Sequence, residues 1–310
     1  MRVTLVVRPS QNTDMSERRI DMTLVDVNHT TLYYELCGSG PSVMFVSGAS
    51  GDAGHWTAVA DALSDTFTVL TYDRRANSRS PRPQDWTAAP IDEQADDAAE
   101  LLRALDLTPA VAYGNSSGAS IVTSVLLRHP EVLRGAILHE PPFVEVTADG
   151  DQVNAELGQI ITEGMEKGGP PTAMELFLRF VMGKEVYESL DPDLRDRMLD
   201  NGEVFFSLEL EAVGSYLPTP KQLGEVRVPC VVAAGVDNRD PTGALHSLYE
   251  ASQWVAGHLA APLIETPGAH VPQASHQDAI VDVLRPLLAK LTAQRPESDH
   301  ETDRARQESV

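Results

Sequence analysis

An α/β fold, in which a mostly parallel sheet is covered by helices on both faces and carries one all-helical insertion, follows from three features of this sequence. Short apolar, β-rich runs alternate with stretches of helical period from residue 42 onward. The block 141–226 breaks that rhythm with helical patterns and no convincing strand. A strand, a turn of minimal width and a helix meet at Gly114-Asn115-Ser116-Ser117-Gly118.

The predicted strands cover 22–27, 31–36, 42–46, 66–71, 110–113, 135–138, 230–234 and 262–265. No helix separates the first three, and Gly38-Ser39-Gly40-Pro41 reads as a turn joining two of them. It is not a phosphate loop, because the run after it is extended and not helical. Helical periodicity covers 55–63, 91–105, 117–129, 243–258 and 277–291. Strand–helix alternation requires parallel strands with both faces covered, so the sheet opens with an antiparallel pair and continues doubly wound. Within the insertion, helices are predicted over 152–167, 172–182, 192–199 and 203–216, the first two punctuated by Gly168-Gly169-Pro170-Pro171. Its Met174, Phe177, Phe180, Phe205 and Phe206 are too apolar for a linker, which places it as a lid over one end of the sheet. The core is assigned to 21–140 and 227–293, with a flexible extension at 1–20 and a disordered tail at 294–310.

Composition narrows the class. With 310 residues, 42% hydrophobic and 23% charged, the chain reads as soluble and globular. Lys and Arg number 24 against 46 Asp and Glu, a formal charge of −22 that repels phosphate backbones and anionic lipid. Nucleic-acid and membrane partners are therefore not expected, and a small-molecule substrate is. The apolar run before Arg8 is too short for a secretory signal, so a cytoplasmic location is expected. Cys37 and Cys230 lie in apolar strand-like runs and read as buried thiols. Nothing in the sequence indicates an oligomeric state.

A Gly-x-Ser-x-Gly match arises by chance in a chain of this length about one time in ten. Context raises its value. Ser116 follows the apolar run Ala-Val-Ala-Tyr and precedes a helix, so the flanking glycines let strand and helix approach without Cβ clashes. The serine hydroxyl then stands at a carboxyl strand end beside a helix N-terminus, where free N–H groups can stabilise an oxyanion. A base is needed to take its proton. Of the nine histidines, His270 in Pro-Gly-Ala-His follows the last strand and precedes the final helix. His129, His246, His258 and His276 fall in helices or at a helix end, His300 in the tail, and His29 and His55 in positions that suit packing or surface. The acid that would orient the imidazole has two candidates at carboxyl strand ends, Asp237 and Glu140.

These segments resemble the α/β-hydrolase fold superfamily, in its cap-bearing serine-hydrolase branch, over roughly residues 24–291. VMFVSGASGDAGHW is similar to the segment after the third strand, TYDRRANSRS to the Asp-x-Arg-Gly-x-Gly-x-Ser turn, YGNSSGA to the nucleophile elbow, LRHPEVLRGAILHEPP to the sixth-strand region and PGAHVPQ to the histidine loop. The resemblance implies an eight-stranded sheet, Ser116 as nucleophile, His270 as base, and an oxyanion hole from the backbone N–H groups of Ala49 and Ser117. Asp73 and Arg74 would be structural members of a loop near the site. There are departures: Ser47 replaces the usual histidine, Ala76 and Ser78 stand where glycines are common, and Asn238 occupies the usual place of the acid. Asp237, one residue earlier, is the preferred acid. Glu140 is the alternative, at the position used by haloalkane dehalogenases and other relatives.

The expected reaction is hydrolysis of a small, partly hydrophobic ester, lactone or thioester through an acyl-enzyme, without cofactor or metal. No His-x-x-x-His, Cys-x-x-Cys or helix-opening Gly-x-Gly-x-x-Gly is present. The competing expectations are a cofactor-free haloperoxidase or perhydrolase on the same triad, and a non-catalytic ligand-binding relative.

Overall fold

The protein is described by a computed structural model covering residues 23–84 and 86–293, so the two terminal segments expected to be flexible lie outside the described residues. Eight strands form one sheet: β1 (Leu24–Val27), β2 (Thr30–Gly38), β3 (Ser42–Val46), β4 (Thr68–Tyr72), β5 (Ala110–Asn115), β6 (Leu133–His139), β7 (Cys230–Gly235) and β8 (Leu263–Thr266). Their order is β1-β2-β4-β3-β5-β6-β7-β8. β1–β2 and β2–β4 pair antiparallel and every other neighbour pair is parallel. The predicted architecture and the antiparallel start are both present.

The central strands are apolar on both faces because both faces are covered. In β3, Val43 and Phe45 point to one side, against Val59 and Leu63 of α1 (Thr57–Leu63) and Leu284 and Leu288 of α12 (Gln277–Ala293). Met44 and Val46 point to the other side, where α2 (Ile91–Ala104), α3 (Ser117–Arg128) and α10 (His246–Leu259) pack. That two-residue alternation, applied to β5 and β6 as well, gives two cores on opposite faces of one sheet.

Between β6 and β7 the described chain is helical: α4 (Gly150–Met182), α5 (Lys184–Ser189), α6 (Pro192–Asp200), α7 (Gly202–Val204), a π-type turn at Phe205–Glu209, α8 (Leu210–Ser215) and α9 (Pro220–Gly224). α4 is two helices joined across a sharp break at Gly168 (φ −167°, ψ 17°) and Gly169 (φ 75°, ψ −162°), where the sequence carries its Gly-Gly-Pro-Pro punctuation, and Gly164 of the first meets Ala173 of the second. Met174, Leu178, Leu194, Met198 and Phe205 form a third, separate core that packs on Ala49 and Val271. The insertion thus rests on the loops that leave the carboxyl ends of the strands. The short α11 (Pro272–Ser275) lies in one of these loops, just before α12. Cys37 and Cys230 are half-buried, in different strands. Among the described residues, no helix is long and apolar enough to cross a membrane.

Candidate active site

Ser116 follows β5 in a conformation that ordinary residues avoid, φ 56° and ψ −128°. Its N–H donates to the His139 carbonyl of β6 (2.9 Å), and its own carbonyl accepts from Ala119 N–H (2.8 Å). The two glycines of the motif are required by contact. A Cβ at Gly114 would lie 2.3 Å from the Gly118 carbonyl oxygen, and one at Gly118 would lie 2.2 Å from the Val46 carbonyl oxygen. Any side chain there forces α3 away from β3 and β5, and the serine would no longer be lifted into the cleft.

His270 follows β8 and is 4% exposed. Its Nδ1 lies 2.7 Å from Oε2 of Glu140, a residue with no exposed surface. The other carboxylate oxygen, Oε1, accepts from Gly235 N–H and from Asn238 Nδ2, each at 2.8 Å. Burial alone would raise the Glu140 pKa, but the bond and charge of His270, aided by His139 and Asn238, hold it below the usual glutamate value. An anionic Glu140 fixes the proton of His270 on Nδ1 and leaves Nε2 to face the cavity.

The structure therefore orders the two acid candidates opposite to the sequence preference. Asp237 is exposed, and its backbone N–H donates to the Gly268 carbonyl (3.1 Å). Glu140 is at the imidazole. Asn238, in the place where relatives usually carry the acid, buttresses the Glu140 carboxylate.

Ser116 and His270 line two adjoining cavities. One, of about 110 Å³, is apolar and is walled by Phe177, Phe180, Phe205, Leu157 and Val213 of the insertion together with Leu248; Ala49 and Ser117 border it as well. The other, of about 30 Å³, lies between Gly48, Ser116, His270 and Met198. Among the described residues no hydrogen bond joins Ser116 Oγ to the imidazole, a looseness common in sites without substrate. Gly48 brings the Ala49 loop against Ser116: a Cβ at Gly48 would be 2.9 Å from Ser116 Cβ and 3.5 Å from its Oγ. Ala49 and Ser117, the residues after Gly48 and Ser116, thus flank the hydroxyl from two sides.

The loops behind these residues are braced by buried hydrogen bonds, several of them to the insertion. Ser47, standing where relatives have histidine, donates to the Asp52 carbonyl (2.9 Å) and accepts from Trp56 Nε1 (2.9 Å), closing the Ala49 loop on itself. Arg74 is buried and donates to the Gly48 carbonyl (2.9 Å) and to both carboxylate oxygens of Glu209 in the insertion (2.7 and 2.8 Å). Asp73 accepts from Ala53 N–H (2.8 Å) and from Arg79 Nε (2.7 Å), so both acidic and basic members of the turn are structural. Ala76 and Ser78 hold left-handed φ values of 61° and 49° where glycine would be unstrained. Asn201 of the insertion secures Ser78, accepting from its N–H (2.6 Å) and donating to its Oγ (2.8 Å).

Asn115, inside the elbow, is the residue whose role the motif conceals most. Its Nδ2 donates to the His270 carbonyl (3.0 Å) and to His139 Nδ1 (3.2 Å), tying the nucleophile turn to the histidine loop. Tyr113 Oη also donates to His139 Nδ1 (2.8 Å). His139 must then be neutral with its proton on Nε2, near Thr266 Oγ1 (3.2 Å). Burial pushes its pKa down to about 4, with Glu140 opposing and His270 adding to the shift. No sequence pattern marks His139, which ends an apolar strand, and Asn115 occupies a position that the motif leaves unspecified.

The profile of the family described as alpha/beta hydrolase fold matches residues 41–277. An uncharacterized hydrolase of Bacillus subtilis is 28% identical over 270 residues, 86% of this chain and 95% of the relative. A zearalenone hydrolase of Bionectria ochroleuca is 35% identical over 127 residues, 40% of this chain and 48% of that protein. Among solved structures, a thermophilic esterase from Thermogutta terrifontis superposes with a TM-score of 0.69 at 18% identity, over 87% of this chain and 100% of that one.

Proposed function

The chain belongs to the α/β-hydrolase fold family, and we propose on that basis that it is a serine hydrolase of ester or lactone bonds working through an acyl-enzyme. The observation that carries this reading is the 2.7 Å contact of Glu140 with His270, a residue that lines one cavity with the strained Ser116.

In this mechanism His270 Nε2 takes the Ser116 proton as Oγ attacks the substrate carbonyl. The tetrahedral oxyanion is held by Ala49 N–H and Ser117 N–H, the latter helped by the N-terminus of α3. The imidazolium, steadied by anionic Glu140, protonates the leaving alcohol. Water then gives one proton to His270 as its oxygen attacks the acyl carbon, and His270 returns that proton to Ser116 Oγ as the acyl C–O bond breaks and the acid departs. The insertion acts as a lid. The cavity of about 110 Å³ is smaller than the ~150 Å³ engineered void that accepts benzene, so it suits a short apolar arm. A relative named for zearalenone hydrolysis adds zearalenone to the compounds worth testing.

The test is a hydrolysis screen of p-nitrophenyl esters of rising chain length, lactones and zearalenone, with parent protein and Ser116→Ala. Turnover of at least one ester or lactone is expected, with a loss of about 1,000-fold or more in the variant. Activity of Ser116→Ala within about tenfold of the parent would remove Ser116 as nucleophile.

A further inference from the structure

On the side of the site away from the apolar cavity, two buried polar atoms have no hydrogen-bond partner among the described residues. They are Nε2 of His55, from the turn at Ala53–Trp56, and Oε1 of Gln273, from α11. Both residues line the small chamber at Ser116 and also an adjoining cleft of about 470 Å³ between α1, α6 and the histidine loop. With Met182, Met198 and Val271 they form the partition between chamber and cleft. Leaving such atoms unpaired costs about 1–3 kcal/mol each, and neither is needed to hold the surrounding loops together.

The hydrogen-bonding sense of Gln273 is set by its neighbours. Asn115 turns its Nδ2 to the His270 carbonyl and so presents Oδ1 to Gln273, whose Nε2 donates to it (3.3 Å). Gln273 Oε1 is left as an unpartnered acceptor within the partition. His55 is kept neutral, because burial lowers its pKa from the ordinary value despite the opposing charge of Asp52, while Arg197 and Arg74 add to the lowering. A neutral imidazole whose Nε2 carries the proton offers a donor.

We propose that His55 and Gln273 form a second substrate subsite, which takes the hydroxyl group of a substrate arm that passes from the Ser116 chamber into the cleft. A hydroxyl suits this pair, donating to Gln273 Oε1 and accepting from His55 Nε2. A carbonyl would leave the glutamine oxygen unpaired, and a charged ammonium would face the neutral imidazole and the nearby Arg197. The preferred substrate is then an ester with one short apolar arm and one hydroxyl-bearing arm. This deepens the serine-hydrolase reading and rests on it.

The experiment compares butanoate esters of α,ω-diols with butanoate esters of simple alkanols of matched length, in parent, His55→Phe and Gln273→Met proteins. At one chain length the hydroxylated ester should have a kcat/KM about tenfold or more above its alkyl counterpart. That ratio should fall to about one in both variants, whose integrity is checked by thermal melting and by phosphonate labelling of Ser116. A ratio near one in the parent at every length, as expected if the pair holds only water, would overturn the proposal. So would a ratio that survives both substitutions.

If no ester is turned over and Ser116 is not labelled, the hydrolase reading fails instead. The subsite is then read separately, by saturation-transfer NMR of the free diols with Ser116→Ala. Binding that disappears on adding His55→Phe supports the subsite, and binding that is absent or unchanged overturns it.

Discussion

Glu140→Gln tests the site at its most specific point. The carboxylate makes three bonds: Oε1 accepts from Gly235 N–H and Asn238 Nδ2, and Oε2 meets His270 Nδ1. A glutamine amide keeps the first two only if its oxygen stays where Oε1 is, which turns its NH₂ toward the imidazole. Nδ1 must then accept, the ring proton moves to Nε2, and the nitrogen needed to deprotonate Ser116 is blocked. The opposite rotamer restores the His270 bond but sets NH₂ against two donors, at about 1–3 kcal/mol for each group left unsatisfied. Either way the productive arrangement is rare. The corresponding amide exchange in a serine-protease triad lowers turnover about 10⁴-fold by the wrong tautomer. We expect a loss of about 10³- to 10⁴-fold in kcat, or about 4–5.5 kcal/mol of barrier. Asp237→Asn, on an exposed residue, should change kcat by less than about threefold. Stopped-flow hydrolysis of the best p-nitrophenyl ester measures both. A Glu140→Gln enzyme within tenfold of the parent, or an Asp237→Asn enzyme slowed a hundredfold, would refute the reasoning.

Three further substitutions probe what holds the site in place. Gly118→Ala puts a methyl group 2.2 Å from the Val46 carbonyl oxygen and should lower stability by about 2–3 kcal/mol in urea titrations, whereas an unchanged midpoint would show that the elbow can widen. Arg74→Met leaves Glu209 buried without its cation and should cost about 3–5 kcal/mol. Adding Glu209→Gln should recover part of that loss, and strict additivity in the double-mutant cycle would count against the pair as the tie between sheet and insertion. His139 gives a pH signature. Its pKa is about 4 in the fold against 6.5 outside it, so between those values the unfolded chain binds the extra proton and stability falls as pH falls. The slope is about 1.4 kcal/mol per pH unit and the total about 3 kcal/mol, most of it lost by pH 4. His139→Gln should flatten that part of the stability–pH curve; an identical slope in the variant would show that His139 is not its source.

The sheet was legible because buried parallel strands read as unbroken apolar runs, and because β5, the elbow and α3 share one short segment. The place of Ser116 at the elbow was legible for the same reason, as was that of His270 between the last strand and the last helix. Which carboxylate meets the imidazole was not. Asp237 and Glu140 both follow strands, and what separates them is the direction in which the backbone turns. Glu140 adopts φ 45°, a left-handed conformation that swings its side chain inward, and its N–H is held by the Ala233 carbonyl (3.0 Å). No residue pattern announces a glutamate in that region of backbone space, since glycine or asparagine is the usual occupant. His55 and Gln273 were illegible for a different reason. Their roles depend on side chains from distant segments, as with the bond between Gln273 and Asn115, which are 158 residues apart in sequence.

The position of Glu140 between neighbours lets a carboxylate that follows β6 reach an imidazole that follows β8. Ser116, Glu140 and His270 follow β5, β6 and β8, so the carboxylate must reach past the end of β7 to meet the imidazole. It does so supported from below by β7 itself, through Gly235 N–H and the side chain of Asn238. The β7 loop therefore still contributes to the imidazole's orientation, but as a hydrogen-bond donor and not as a charge. Strain follows the same line: Ser116 and Glu140 both hold positive φ, at the ends of adjacent strands joined by the bond from Ser116 N–H to the His139 carbonyl. Two residues in unfavourable backbone states persist side by side because the β5–β6 ladder, the buried His139 and Asn115 constrain both at once. A substitution that relaxes one should shift the other, which makes the elbow and the acid a single mechanical unit.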